Sequence, residues 1–246
     1  MSREAKRFWE NYGPHYQSDC QIPVDVHYGP GSPNETDLQL IGPVEGKHVL
    51  ELGCGGAQCS VAFALQGAFV TSVDIAAAQL EFARDLAASH GVFVTFYERS
   101  MEDLSPIASE SQDLVFSAYA LGYVYDLPTC FREVYRVLKN GGLFVWSQGH
   151  PFFILEKETQ KPGRSYFDTG WHVYGEGEAD IPFAVNQHTV SAYINTMQEA
   201  GLVLEQMVEP DSRRRYACDP WYGMWDYVPE LMELLPPTII FKARKR

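Results

Sequence analysis

Two acids and two glycines carry the chemistry that shows first. Glu51, Gly53 and Gly55 stand as Glu-x-Gly-x-Gly inside the run His48 to Ser60, where a short apolar stretch gives way to helix-compatible sequence at 61–65. Glycines there let the chain turn sharply and let a ligand approach where a Cβ would clash. The helix start beyond the turn presents unpaired N–H groups. The acid selects the ligand's charge, because a carboxylate at a strand end repels a pyrophosphate but accepts a hydrogen bond from an ammonium group. Asp74 closes the segment Phe69 to Asp74. It follows the glycines by about 20 residues, the spacing at which an acid takes the two hydroxyls of a ribose. The competing role for Asp74 is to cap the helix Ala76 to Ser89. A dinucleotide fingerprint needs its third glycine where Gln58 stands, so that motif fails.

The elements that must hold these groups follow in order. His48 to Leu52 is a buried parallel strand, 69–74 a second, Val92 to Tyr97 a third, Asp113 to Ser117 a fourth and Leu143 to Ser147 a fifth. Helical patterning lies between them, most clearly over Leu127 to Leu138, where Phe131, Val134, Val137 and Leu138 share a face. Gly141-Gly142 provides a left-handed stop after it. Alternating strands and helices with acids and glycines at strand ends define a doubly wound α/β sheet. Residues 1–18 form a short amphipathic helix stopped by Gly13-Pro14. From Gln148 the pattern breaks into aromatic and turn residues, which suits an inserted cap over 148–187. A helix from Thr189 to Ala200 and strands at Leu202 to Val208 and Thr238 to Ala243 complete the chain.

The Glu-x-Gly-x-Gly turn paired with Asp74, together with Arg136-Val137-Leu138-Lys139-Asn140-Gly141-Gly142-Leu143 before the fifth strand, resembles the class I S-adenosylmethionine-dependent methyltransferases of the small-molecule branch, in their type 11-like group. Ala57 departs from the pattern, since the family often has a glycine there. The resemblance implies a Rossmann-like, mostly parallel sheet of seven strands with its last strand antiparallel. It also implies S-adenosylmethionine as cofactor and S-adenosylhomocysteine as co-product. The implied cofactor residues are Tyr28, Glu51, Gly53, Cys54, Gly55, Asp74, Ile75, Ser100, Met101, Glu102, Ser117 and Tyr123. Many members carry Asp where Ser100 stands, so Glu102 or Asp103 is expected to replace that carboxylate near adenine, with Met101 against the purine. The resemblance also makes residues 1–45 a lid, 46–147 the cofactor-binding core, 148–187 the substrate cap and 188–246 the C-terminal part of one domain.

Methyl transfer from a sulfonium is an in-line displacement, so alignment in a dry pocket and one proton acceptor can suffice. His150, three residues beyond the fifth strand, and Tyr119 are the candidate catalytic groups. Tyr16, Phe152, Tyr166 and Trp171 are expected to wall the site for an acceptor whose methylated atom is oxygen, nitrogen or carbon.

Composition narrows the partners. The 246 residues carry 19 Lys and Arg against 32 Asp and Glu, a net charge of −13, which disfavours nucleic acid and anionic membranes. Five cysteines without C-x-x-C spacing argue for free thiols in a cytoplasmic protein and against a metal site. A small-molecule substrate and a monomer or homodimer follow as expectations. Two alternatives stay open: a non-catalytic protein of the same shape, and a nicotinamide-dependent oxidoreductase, which the acid at Glu51 and the missing third glycine disfavour.

Overall fold

The computed structural model describes residues 2–154, 159–176, 182–214, 219–221 and 229–246. Its centre is a seven-stranded sheet built from β1 (His48–Leu52), β2 (Phe69–Asp74), β3 (Val94–Glu98), β4 (Gln112–Ala118), β5 (Leu138–Gly149), β8 (Leu202–Val208) and β9 (Thr238–Lys245), ordered β3-β2-β1-β4-β5-β9-β8. The five strands from β3 to β5 pair in parallel, while β9 runs antiparallel to both β5 and β8. This is the Rossmann-like methyltransferase sheet, with helices on both faces.

Alternation along β1 assigns its side chains. Leu50 and Leu52 enter the core that holds Phe131, Trp146 and Phe241, whereas Val49 enters the opposite core with Phe63 and Phe116. Period-2 geometry therefore turns Glu51 to the Val49 side, toward helix α3 (Gln58–Leu65). The chain leaves β1 for β2 on one side and returns to β4 on the other. The order of the sheet thus reverses between β1 and β4, and that is where open α/β sheets bind ligands.

Helix α1 (Ser2–Cys20) does not stop at Gly13-Pro14 but runs on with Pro14 inside it. Tertiary packing overrides the local breaker. The Glu10 carboxylate accepts from Ala77 N and Ala78 N (2.9 and 3.0 Å) at the start of α4 (Ala77–Ser89), and Gln17 Nε2 donates to Gln79 Oε1 (2.9 Å). Gly13 lies against the Gln79 side chain so closely that an added Cβ would meet it at 3.0 Å. After a four-residue helix α2 (Glu35–Leu38), the remaining helices are α5 (Leu127–Val137), α6 (Val190–Glu199) and α7 (Pro229–Met232). The inserted region contains a hairpin, β6 (Gly170–Glu176) with β7 (Pro182–Gln187). Among the described residues, no helix is long and apolar enough to cross a membrane.

Candidate active site

The main cavity opens at the carboxyl ends of β1, β2 and β4, with about 1150 Å³ of empty space including its mouth. The turn after β1 forms its floor. Gly53 and Gly55 have φ of +63° and +51°, and Ala57, the N-cap of α3, is also left-handed at +62°. A Cβ on Gly53 would stand 2.3 Å from Ala120 Cβ, so only glycine keeps this approach open. The Ala57 departure thus falls on a backbone conformation that glycine adopts without strain.

Glu51 lies on the cavity wall, 3% exposed. Ser60 Oγ donates to it and is itself paired with Ser72 Oγ. No cation neutralises Glu51 among the described residues. Burial raises its pKa to about 8 from an ordinary 4.5, against the opposing hydrogen bond from Ser60 and reinforced by the charge of Asp74. Asp74 accepts from Gly55 N (2.8 Å) and from Ala76 N (2.9 Å), so it both braces the glycine turn and serves the approach to α4. Its pKa is raised by burial and held down by those N–H groups.

Gly53, Cys54, Gly55, Asp74, Ile75, Ser100 and Met101 line this cavity together, and Tyr123 lines it from the turn Leu121–Tyr123, edge-on to Trp9. Glu102 does not line it. Its Oε2 accepts from Ser100 Oγ (2.8 Å) and its Oε1 from Asp126 N (2.5 Å), so it positions Ser100 without facing the cavity. Asp103 lies with Arg99 along a shallow hollow beside the mouth.

Several expected site residues stand elsewhere. Tyr28 is fully buried beneath the sheet, edge-on to Phe116, and its hydroxyl donates to Glu35 Oε2 (2.5 Å). Its apolar ring has been drawn into the core. Ser117 is sealed between strands and donates to Leu52 O (2.9 Å). His150 is 3% exposed and does not line the cavity; Nδ1 accepts from Phe152 N (3.0 Å) and Nε2 pairs with Glu209 (2.8 Å). Both nitrogens are thus committed to holding the start of the inserted region. Tyr119 does line the cavity, at φ +57°, but its hydroxyl lies 2.6 Å from Thr238 Oγ1 and 3.0 Å from Pro237 O. Burial raises its pKa further, which makes it a poor proton acceptor.

The inserted aromatics turn away as well. Phe152 stacks on Tyr166 (4.2 Å), Tyr166 Oη accepts from Val190 N, and Trp171 sits on β6. None of the three lines the cavity. The hairpin instead braces the 121–124 turn: Asn186 Nδ2 donates to Val124 O (3.0 Å), and Val185 lies against Gly122. Of the expected substrate residues only Tyr16 reaches the cavity, where Trp221 Nε1 donates to its hydroxyl (2.7 Å).

The rest of the cavity wall includes Trp9, Ile22, His27 and Trp221, none of them among the expected site residues. Over the glycine turn lies a buried amide chain in which Gln58 Nε2 donates to Gln17 Oε1 (2.6 Å) and Gln17 to Gln79. Amphipathic patterning over residues 1–18 puts Phe8, Trp9 and Tyr12 on one face, but no local signal ties that face to the glycine turn.

The fold and site define an S-adenosylmethionine-dependent methyltransferase. Residues 50–146 match the family model of a methyltransferase domain. An S-adenosylmethionine-dependent methyltransferase from Mesorhizobium loti, solved by crystallography, is 26% identical, with 84% of this chain and 94% of that one covered at a TM-score of 0.68. The ubiquinone biosynthesis O-methyltransferase of Pseudomonas savastanoi pv. phaseolicola is 37% identical over 102 residues, which cover 42% of this chain and 44% of that protein. An uncharacterized protein of Haemophilus influenzae is 26% identical over 224 residues, 85% of each chain. Residues 50–146 are thus a methyltransferase domain, and over most of its length the chain is similar to S-adenosylmethionine-dependent methyltransferases.

The residues present fit that cofactor. A buried carboxylate without a counter-cation suits an ammonium group, and the close approach at Gly53 leaves room where a side chain would intrude.

Proposed function

We propose that the chain transfers a methyl group to an oxygen, nitrogen or carbon of a soluble metabolite by in-line displacement in a dry, aromatic-walled pocket. The observation that carries this is the division of one cavity: two buried acids and a glycine turn at one end, and Trp9, Tyr16, Tyr123 and Trp221 at the other. Glu51 would hold the cofactor's ammonium, Asp74 its ribose, and Ser100 and Met101 its adenine. The bound cofactor supplies an activated methyl on a sulfonium. The chain's own part is to align the acceptor and keep water out. Helix α1 closes the site from above through Glu10 and Gln17, while Val185 and Asn186 of β7 support the 121–124 turn from behind.

The buried, free thiols of Cys20, Cys54, Cys59 and Cys130 favour a reducing cytoplasm as its location. The ubiquinone-pathway relative methylates oxygen by its name, but its match covers less than half of either chain, so the acceptor is argued from the cavity. Turnover of S-adenosylmethionine to S-adenosylhomocysteine across a panel of uncharged phenols, amines and carbon acids tests the proposal. No product with any class would contradict it.

A further inference from the structure

Among the described residues, the acceptor end of the cavity holds one polar group whose hydrogen-bonding capacity is unused. The Tyr16 hydroxyl is taken by Trp221 and Cys20, the Tyr119 hydroxyl by Thr238 and Pro237, and the Tyr123 hydroxyl by Trp9. His27 lines the same cavity, with its ring edge-on to Trp221 at 5.1 Å, and neither imidazole nitrogen has a partner among the described residues. Its Nδ1 is shut off from solvent as well. A buried polar atom left unpaired is costly, so an unpaired one beside a ligand cavity points to a ligand that pairs it. Among the described residues no cationic side chain pairs with His27; the charge acting on it is that of Asp25, while Glu51, Asp74 and Arg99 line the cavity elsewhere.

We propose that His27 binds the hydroxyl of an uncharged aromatic acceptor and takes its proton as the methyl is transferred. The acceptor oxygen bonds to the methyl carbon, the carbon–sulfur bond breaks with its electron pair left on sulfur, and the hydroxyl proton moves to His27. The net charge of the cavity is unchanged, since the positive charge lost at sulfur reappears on the imidazole. Burial keeps the ring neutral before the step, with a pKa lowered to about 4 and the Asp25 charge opposing that shift. The proton leaves to water when product departs. This inference rests on the methyl-transfer reading and narrows its acceptor to a hydroxyl compound without phosphate or carboxylate.

Binding of three probes to the full chain, followed by tryptophan fluorescence because Trp9 and Trp221 face the cavity, separates the possibilities. The probes are 4-ethylphenol, ethylbenzene and phenyl phosphate. The expected result is 4-ethylphenol bound about tenfold more tightly than either of the others. His27→Phe should retain ethylbenzene binding and lose the preference, and His27→Gln, which keeps an acceptor atom, should restore part of it. Turnover of 4-ethylphenol, if it is a substrate, should fall with His27→Phe while calorimetry with S-adenosylmethionine stays within about twofold of native. No preference in the native chain, no binding of any probe, tighter phenyl phosphate, or a preference that survives His27→Phe would each overturn the assignment. Calorimetry on the native chain keeps the two readings apart: cofactor binding without the phenol preference rejects His27 alone, and absent cofactor binding rejects methyl transfer and the proton step with it.

Discussion

The two ends of the cavity are built differently. The cofactor end comes from short, consecutive pieces at the tips of adjacent parallel strands: Glu51 to Gly55 after β1, Asp74 and Ile75 after β2, and Ser100 and Met101 after β3. The acceptor end is gathered from α1, from the segment holding His27, from the turn after β4 and from Trp221, parts far apart in the chain. The first end is dictated by strand order and backbone geometry, so a fixed spacing can encode it. The second depends on which surfaces happen to pack over the sheet rim, which leaves it free to change with the acceptor. The charges divide in the same way, with both buried acids at one end and neutral aromatics at the other.

Four changes test that division. The largest effect is expected at Glu51. Its pKa is near 8 in the folded chain and near 4.5 when unfolded, so the native state keeps a proton that the unfolded state has lost. Stability therefore falls as pH rises from about 4.5 to 8, by about 3 kcal/mol at pH 7 from this group. Glu51→Gln should melt close to native at pH 4.5 and well above it at pH 7.5, even as cofactor binding weakens; equal melting at both values would contradict the burial argument. Asp74→Ala comes next. It should weaken S-adenosylmethionine by about 100-fold in calorimetry, because charge-assisted hydrogen bonds to the ligand go with it. Trp221→Ala acts at the other end, and should raise the acceptor's KM about tenfold while leaving cofactor affinity within about threefold. Equal damage to both ligands would erase the division. The smallest effect on turnover is expected at His150. His150→Gln should cost about 1 kcal/mol of stability in denaturant titration and change kcat by less than about twofold, since both ring nitrogens serve Phe152 and Glu209.

Sequence reasoning served the two ends unequally, for the same physical reason. The glycines of Glu-x-Gly-x-Gly were legible because the turn demands them, Gly53 and Gly55 both standing at positive φ. Even the Ala57 departure marked a residue now seen at positive φ. The five parallel strands were legible as apolar runs. Tyr28 and Ser117 were misplaced because one-dimensional position near a strand tip does not say which face a side chain takes. Ser117 points back to Leu52 O, and Tyr28 folds under the sheet. The inserted aromatics were expected to wall the cavity on composition alone, yet stacking of Phe152 on Tyr166 satisfies them locally. Pro14 misled because contacts of Glu10 and Gln17 with α4 outweigh one missing backbone hydrogen bond. His27 was legible only as part of the expected lid over residues 1–45, and only the closed cavity shows that its Nδ1 lacks a partner.

The central claim is that an uncompensated buried carboxylate at position 51 waits for the cofactor's ammonium. Calorimetric titration with S-adenosylmethionine between pH 6 and 8, repeated in two buffers of different ionisation enthalpy, measures it directly. The native chain should bind more tightly as pH rises and should release a proton on binding, while Glu51→Gln binds about 100-fold more weakly and releases none. Native binding without proton release, or Glu51→Gln binding as tightly as native, would contradict the account.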